Sequence, residues 1–287
     1  MTHRDRNEPE SEDHRSQREG RASSFARPII TVGAALLALG SLGGCAALSD
    51  TQLVAFGAEY WDAQPGGALS VDEAASIGDE LDLDSTLDFD SEKVWVYRAA
   101  ATVGPTRLEA TFIDLGYNGL STIASSFDFS GETFTSGNVL SSDVDTSVLQ
   151  VHAETGLYNW NIIQFGFVAG LDQLRIDTTL TDVDALVSAS EEYDEWIPVI
   201  GITGGASIPL MAVKVFADAK ISGIIEEISL DTLDGDYLSS EIRGGVSIDD
   251  GFKIGIGYRS LEADFDDGGA NYDFDLGGGF LFIDLEF

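Results

Sequence analysis

The 287-residue chain is short of several things: it has one cysteine, six prolines, and 15 lysines and arginines against 50 aspartates and glutamates. A single cysteine excludes an intrachain disulfide and a thiolate metal cluster. A formal net charge of -35 argues against nucleic acid as a partner, because a phosphate-binding surface needs clustered Lys and Arg. Beyond residue 50 no segment approaches the ~20 consecutive apolar residues of a membrane helix. Near-neutral hydropathy does not exclude a membrane, because in a β-barrel only alternate residues meet lipid.

The amino-terminal part reads as a targeting segment. Residues 1–27 are polar and carry Arg4, Arg6, Arg15, Arg18, Arg21 and Arg27, and an apolar stretch from Pro28 to Leu42 follows. It is short for a membrane span and is followed by small residues, as in a secretory signal. Leu42-Gly43-Gly44-Cys45 resembles the bacterial lipobox, in which the cysteine is acylated and becomes the first residue; Gly43 departs from the Ala, Ser or Thr usual there. The alternative is ordinary cleavage after Ala47, and both routes export the chain. With Ala46 after the cysteine, the resemblance implies sorting to the outer membrane of a Gram-negative cell. The expected organisation is a removed segment 1–44, a short anchor linker 45–50 and one domain over 51–287.

Ten alternating segments follow, near Gln52–Trp61, Lys93–Val103, Thr106–Leu115, Ser147–Leu157, Ile162–Leu171, Trp196–Ile208, Ala212–Ile221, Leu238–Ile248, Gly251–Leu261 and Asp273–Phe287. Most match the roughly 9–11 residues of a tilted transmembrane strand. Their connections alternate. Longer acidic ones, such as those expected around Glu191-Glu192-Tyr193-Asp194-Glu195 and Asp264-Phe265-Asp266-Asp267, take turns with tight ones at Gly104-Pro105, Asn159, Pro209-Leu210-Met211 and Asp249-Asp250. Long loops on one side and short turns on the other suit an up-and-down barrel; Greek-key sandwiches mix the two.

The last strand is the sharpest signal. Leu281, Ile283, Leu285 and Phe287 share one face, Asp284 and Glu286 the other, and the chain ends on an aromatic residue. This resembles the terminal strand of Gram-negative outer-membrane β-barrels, which closes the barrel and is read by the assembly machinery. The expected fold is therefore all-β: an antiparallel up-and-down transmembrane barrel of ten strands, with eight or twelve left open because Ser126–Val139 and the first loop could hide a hairpin. Aromatics near strand ends (Trp61, Trp95, Tyr97, Trp160, Trp196, Tyr258, Phe287) suit interfacial girdles.

If the apolar residues face lipid, the charges face the lumen. Nine bases lie beyond the leader, and seven of them are expected inside: Arg98, Arg107, Lys214, Lys220, Arg243, Lys253 and Arg259. Glu109, Glu154, Asp218, Glu241, Asp284 and Glu286 are their expected partners, with His152 in the same polar network. Unpaired buried ions cost several kcal/mol, so a nearly neutral lumen is the consistent arrangement. His152, the single histidine after the leader, shares a strand face with Glu154 and offers an acid–base pair. Barrel proteases of the omptin type use an Asp–His pair at the rim, and barrel lipid A deacylases a His and a Ser. No Asp-x-His pattern surrounds His152, so neither pattern carries over.

The acidic stretches Asp231–Asp236 and Asp264–Asp267 lack EF-hand spacing; a divalent cation there is a weak expectation, and no metal or other cofactor is expected otherwise. The functional expectation is a non-enzymatic outer-membrane barrel with a structural or surface-interaction role and a filled, charge-paired lumen. Its partners would be outer-membrane lipid and, during biogenesis, the assembly machinery. A narrow solute channel is the first alternative, and an enzyme using His152 and Glu154 the second.

Overall fold

The computed structural model describes residues 54–71, 81–83, 87, 89–160, 162–224, 234–248, 251–266 and 270–287. The targeting segment, Cys45 and the anchor linker lie outside the described residues. The elements are β1 (Val54–Val71), β2 (Leu81–Asp82), β3 (Glu92–Val103), β4 (Thr106–Thr122), β5 (Phe127–Phe129), β6 (Glu132–Phe134), β7 (Val139–Trp160), β8 (Ile163–Asp182), β9 (Val187–Leu210), β10 (Val213–Gly223), β11 (Asp234–Ile248), β12 (Phe252–Asp266) and β13 (Ala270–Glu286). Ten of these are staves of one closed antiparallel barrel: neighbours in sequence pair with one another, and β13 returns to β1. The closing register runs from Ala55↔Glu286 to Val71↔Ala270, and it is locked at the chain end by reciprocal backbone bonds between Val54 and Phe287. Short β2 adds to β1, and β5–β6 form a separate hairpin. The Ser126–Val139 stretch thus holds a hairpin that does not enter the wall.

Most staves are longer than a membrane requires, β3 and β10 with 12 and 11 residues being the exceptions. β7, β8 and β9 have 22, 20 and 24 residues, about twice the roughly 9–11 needed to cross. The surplus lies at the end away from the termini, and there the polarity of the wall reverses. On β8, Ile163, Phe165, Phe167, Ala169 and Leu171 point outward, followed on the same face by Gln173, Arg175, Asp177 and Thr179. The inner face changes in the opposite sense, from Asp172 to buried Leu174, Ile176 and Leu180. β4 behaves alike. Outside, Leu108, Ala110 and Phe112 give way to Asp114 and Asn118; inside, Arg107, Glu109 and Thr111 give way to Ile113, Leu115 and Tyr117. Cross-strand neighbours Ile113, Val148 and Leu174 set the change at one level across β4, β7 and β8. One half of the barrel is thus apolar outside and polar inside; the other half is built like a water-soluble domain, with a dry core.

That core gathers Val94, Val96, Leu140, Val144, Tyr193, Ile197, Leu261, Phe265, Phe274 and Leu276, among others, and fills the barrel. The β5–β6 hairpin contributes Phe127, stacked on Phe134 at 5.0 Å between ring centroids, and buried Phe129. Leu81, Leu83, Leu87 and Phe89 of the β1–β3 connection enter the same cluster. Burying each such side chain stabilises by about 1.5–3 kcal/mol, which explains why a chain so rich in carboxylates still holds long strands above the apolar belt.

Three expectations are corrected. The acidic segment Glu191–Glu195 lies within β9, and the β8–β9 connection is only the turn 183–186, with Leu186 at φ 56°. The inward Tyr193 packs on Phe265 and Tyr272, at 5.5 and 5.0 Å, so the segment has an apolar face to bury and extends as a strand. Asp264 and Asp266 likewise lie in β12, where Asp236 and Asp264 face each other across the ladder. Trp61 belongs to no girdle: it points inward and is fully buried. The exposed aromatics at the upper edge of the belt are Tyr60, Trp95, Tyr97, Trp196 and Tyr258, and those at the lower edge are Tyr158, Trp160 and Phe287.

Candidate functional site: the closed lumen

Below the dry core, the lumen is crossed by a layer of ion pairs. At its centre two glutamates and two arginines from four strands form a closed square. Arg98 on β3 donates to Glu59 on β1 at 2.6 Å and to both oxygens of Glu241 on β11 at 2.9 Å. Arg259 on β12 donates to Glu59 at 2.7 Å and also to Glu241. Arg259 further lies over the rings of Trp61 and Phe280, 5.6 and 5.2 Å from their centroids. Glu59 is fully buried, and Arg98 and Arg259 are 5% and 1% exposed. A carboxylate held by two guanidinium groups is well compensated, whereas either ion alone would cost several kcal/mol.

Glu109 on β4 ties the square to the layer beneath. It takes Lys220 at 2.9 Å from across the barrel, Arg98 at 3.5 Å and Arg107 at 3.4 Å. Glu154 adds a second carboxylate to Lys220 at 3.4 Å. Arg243 reaches Glu241 and Asp284, at 3.3 and 3.2 Å, and Lys253 reaches Glu286 at 2.7 Å. Asp218 accepts from Gln164 at 3.4 Å, and Lys214, exposed on the inner face of β10, also has an interaction partner. These side chains surround a cavity of about 120 Å³, the volume of a few water molecules, lined among others by Arg107, Glu109, Asp218, Lys220, Arg243 and Lys253. Inward glycines make room for this packing: a Cβ on Gly257 would stand 2.3 Å from Phe280 Cζ, and one on Gly57 2.3 Å from Asp284 Oδ1.

His152 is placed differently from the sequence expectation. Its Nε2 contacts Asp172 Oδ1 across the β7–β8 ladder at 2.8 Å, which replaces the expected pairing with Glu154. Asp172 also accepts from Tyr237 at 2.7 Å and Gln150 at 3.0 Å, and Gln150 donates to Ser239 at 3.2 Å. A Cβ on residue 170 would stand 2.5 Å from the His152 ring, so Gly170 is what lets the ring lie against β8. His152 is 2% exposed and Asp172 0%. The pair sits between the ion-pair layer and the dry core. Both groups are shut off from solvent, and a satisfied buried network of this kind rigidifies its surroundings.

Asp172 and Glu59 are the charged members that sequence reasoning missed, and Tyr237 and Ser239 the neutral ones. Asp172 follows the last residue expected in its strand, and the first strand's alternation is broken because its inner face carries Glu59 and Trp61 together. The visible signal for Asp172 was a lone carboxylate two residues from apolar Leu174 in a continuing period-two pattern.

At the upper end, Asp182 fastens the loops. Its carboxylate accepts the backbone N–H groups of Asp184 and Ala185 at 3.1 and 2.8 Å and the Asn138 side chain at 2.8 Å. Burial alone would raise its pKa, but these hydrogen bonds outweigh it and hold the carboxyl below its ordinary value. A depressed carboxylate contributes stability above its unfolded pKa, about 4, and loses it as pH falls from there through the folded value. Hydrogen exchange at Ala185, taken relative to the intrinsic rate at each pH, should therefore accelerate in acid. Asp182→Ala should accelerate it at neutral pH and leave the fully acid rate unchanged; a neutral-pH rate unaffected by the substitution would refute the role. Nearby, Tyr117 is pushed up by burial and by Glu92, and Asp275 by burial and by Glu262 and Asp273. The acidic upper wall holds no group of three ligands suited to a metal ion among the described residues.

No protein-family model and no curated protein matches the chain. Solved structures do. The outer membrane protease OmpT from Escherichia coli superposes with a TM-score of 0.51 and 12% identity, over 85% of this chain and 99% of that one. Ail, the attachment invasion locus protein of Yersinia pestis, aligns over 83% of this chain and 100% of its own with a TM-score of 0.35 and 8% identity. The transport unit of the autotransporter AIDA-I from Escherichia coli gives 0.39 and 7%, over 85% and 92%. At such identities the likeness to OmpT is one of fold: this chain is an all-β, closed, antiparallel ten-stranded barrel with the architecture of Gram-negative outer-membrane proteins.

Proposed function

We propose that the chain is an outer-membrane β-barrel of a Gram-negative cell that conducts nothing and holds a rigid acidic wall and its loop tips above the lipid, in a structural or surface-interaction role. The observation that carries this reading is the reversal of polarity along the staves. The lower half suits a lipid belt around a polar lumen, and the upper half suits water around a dry core. With both termini at the lower end, the strands above the belt add about ten residues, which at ~3.3 Å each and a tilt of ~40° lift the loops roughly 25 Å clear. In this reading Cys45 is acylated and tethers the periplasmic end.

Two closures in series argue against the channel alternative: the Glu59–Arg98–Glu241–Arg259 square and the dry core above it. The sealed His152–Asp172 pair argues against the enzymatic one. The refolded protein should show heat-modifiable gel mobility and no discrete conductance in planar bilayers. Protein extracted from outer membranes should carry acyl mass on the peptide beginning at Cys45. Stable unitary currents would overturn the closed-lumen reading, and a mature chain soluble without detergent would overturn the membrane placement.

A further inference from the structure

Among the described residues, the ladder between two neighbouring staves stops partway up the wall between β3 and β4, as it also does between β9 and β10 above Ile200↔Gly223. β3 stays paired with β1 up to Ala63↔Glu92, and β4 stays paired with β7 up to Thr122↔Val139. Between β3 and β4, however, the ladder runs only from Val103↔Thr106 to Tyr97↔Phe112. Above that level both strands continue without pairing to each other, and the Gly116 N–H is taken instead by the Glu92 carboxylate at 2.6 Å. The split starts at the upper edge of the apolar belt, where Trp95, Tyr97 and Phe112 face outward. Its inner lining is dry: Val94, Val96, Ile113 and Leu115 are all buried.

Side chains from the β1–β3 connection fill this slot. Leu83, Leu87 and Phe89 are 0%, 0% and 5% exposed, and Phe89 lies 5.7 Å from the Tyr117 ring. They are held by single contacts rather than by a ladder: Leu83 N–H to Gly67 O at 3.0 Å, Phe89 N–H to Leu83 O at 3.3 Å, and Ser142 Oγ to Leu87 O at 3.3 Å. Gly119 is what admits Leu87, since a Cβ there would stand 1.8 Å from Leu87 O.

We infer that the β3–β4 split is a lateral binding slot for an aliphatic chain from the outer leaflet, filled at rest by Leu87 and Phe89. Three features favour that occupant. The slot opens at the level where acyl chains meet headgroups, its lower lip is aromatic and lipid-facing, and the side chains of its inner lining at Val94, Val96, Ile113 and Leu115 are aliphatic. Breaking a continuous ladder would expose many backbone groups; parting this split exposes few. The inference rests on the membrane placement proposed above and goes beyond it.

The test uses the mature chain refolded into phosphatidylcholine vesicles doped with a phospholipid carrying a diazirine on its acyl chain. After irradiation, labelled residues are read by tandem mass spectrometry. Belt residues such as Trp95 and Phe112 should be labelled in every protein. Ile113, Leu115 and Val94 should be labelled weakly in the native chain and about tenfold more in Gly119→Ala, which displaces Leu87; that ratio corresponds to about 1.4 kcal/mol of lost closure. Glu92→Ala, which removes the bridge and introduces no clash, should raise the same labels if Gly119→Ala does not refold. Heat-modifiable mobility confirms the barrel in each case. Labelling confined to the belt in all folded proteins overturns the slot. An unlabelled belt overturns the membrane placement, and the slot with it.

Discussion

Glu59→Ala should destabilise the barrel by about 3–5 kcal/mol, the cost of breaking a buried ion pair from one side. Glu59 is fully buried and accepts from Arg98 and Arg259 at 2.6 and 2.7 Å. Its removal leaves two buried guanidinium groups sharing Glu241, which Arg243 also engages at 3.3 Å. Glu286→Ala is the control. Its partners Lys253 and Arg107 are each about a quarter exposed, and pairs so near water are worth under about 1 kcal/mol each. Urea titrations of vesicle-embedded protein, followed by gel mobility, would separate the two. Replacing Glu59 and Arg259 together by leucine should recover much of the loss, since the pair can be exchanged for apolar packing at little cost. If Glu59→Ala and Glu286→Ala cost the same, the lumen screens its charges as water does, and the channel reading gains the ground that the closed square now denies it.

Much of this arrangement is legible in the sequence, and the part that is not has a definite cause. All ten staves coincide with alternating segments, because period-two patterning records a strand between unlike media whichever medium lies on which side. The same symmetry hides the upper half. At Leu171–Leu174 of β8, apolar residues pass from odd to even positions; a reader following one face sees the strand end, whereas the strand continues with its faces exchanged. The Glu191–Glu195 acids suggested a loop for that reason, and Asp172 fell just outside a segment already closed. Loop alternation was legible in kind, yet the β8–β9 turn proved short because its acids stand on strands. The inward bases could be listed from alternation alone, but not which carboxylate each one meets. Glu109 collects Lys220 from β10 across the lumen, which depends on barrel closure, and His152 finds Asp172 twenty residues on, which depends on the β7–β8 register; no local pattern encodes either.

The polarity reversal predicts a sharp boundary on a single strand. On β12, Ile254, Ile256 and Tyr258 point outward, followed on the same face by Ser260, Glu262 and Asp264. Ile256→Arg should cost about 2–4 kcal/mol, as a base on the lipid face near the midplane does. Glu262→Arg, six residues along the same face, should cost nothing and should stabilise slightly: Glu262 faces Asp275 across the ladder, and that repulsion helps push the Asp275 carboxyl up after burial itself. The inner face should respond in the opposite order. Leu261→Ala, in the dry core with Leu261 fully buried, should cost about 2–5 kcal/mol. Lys253→Ala, beside Glu286 in the wet lower lumen, should cost under about 1 kcal/mol. Four substitutions on one strand thus give a crossed pattern that neither a uniform transmembrane barrel nor a soluble one reproduces. A uniform barrel would penalise Glu262→Arg as a lipid-facing change, and a soluble barrel would tolerate Ile256→Arg. The outward position at which the arginine penalty vanishes, between Tyr258 and Glu262, marks where the lipid ends and the displayed wall begins.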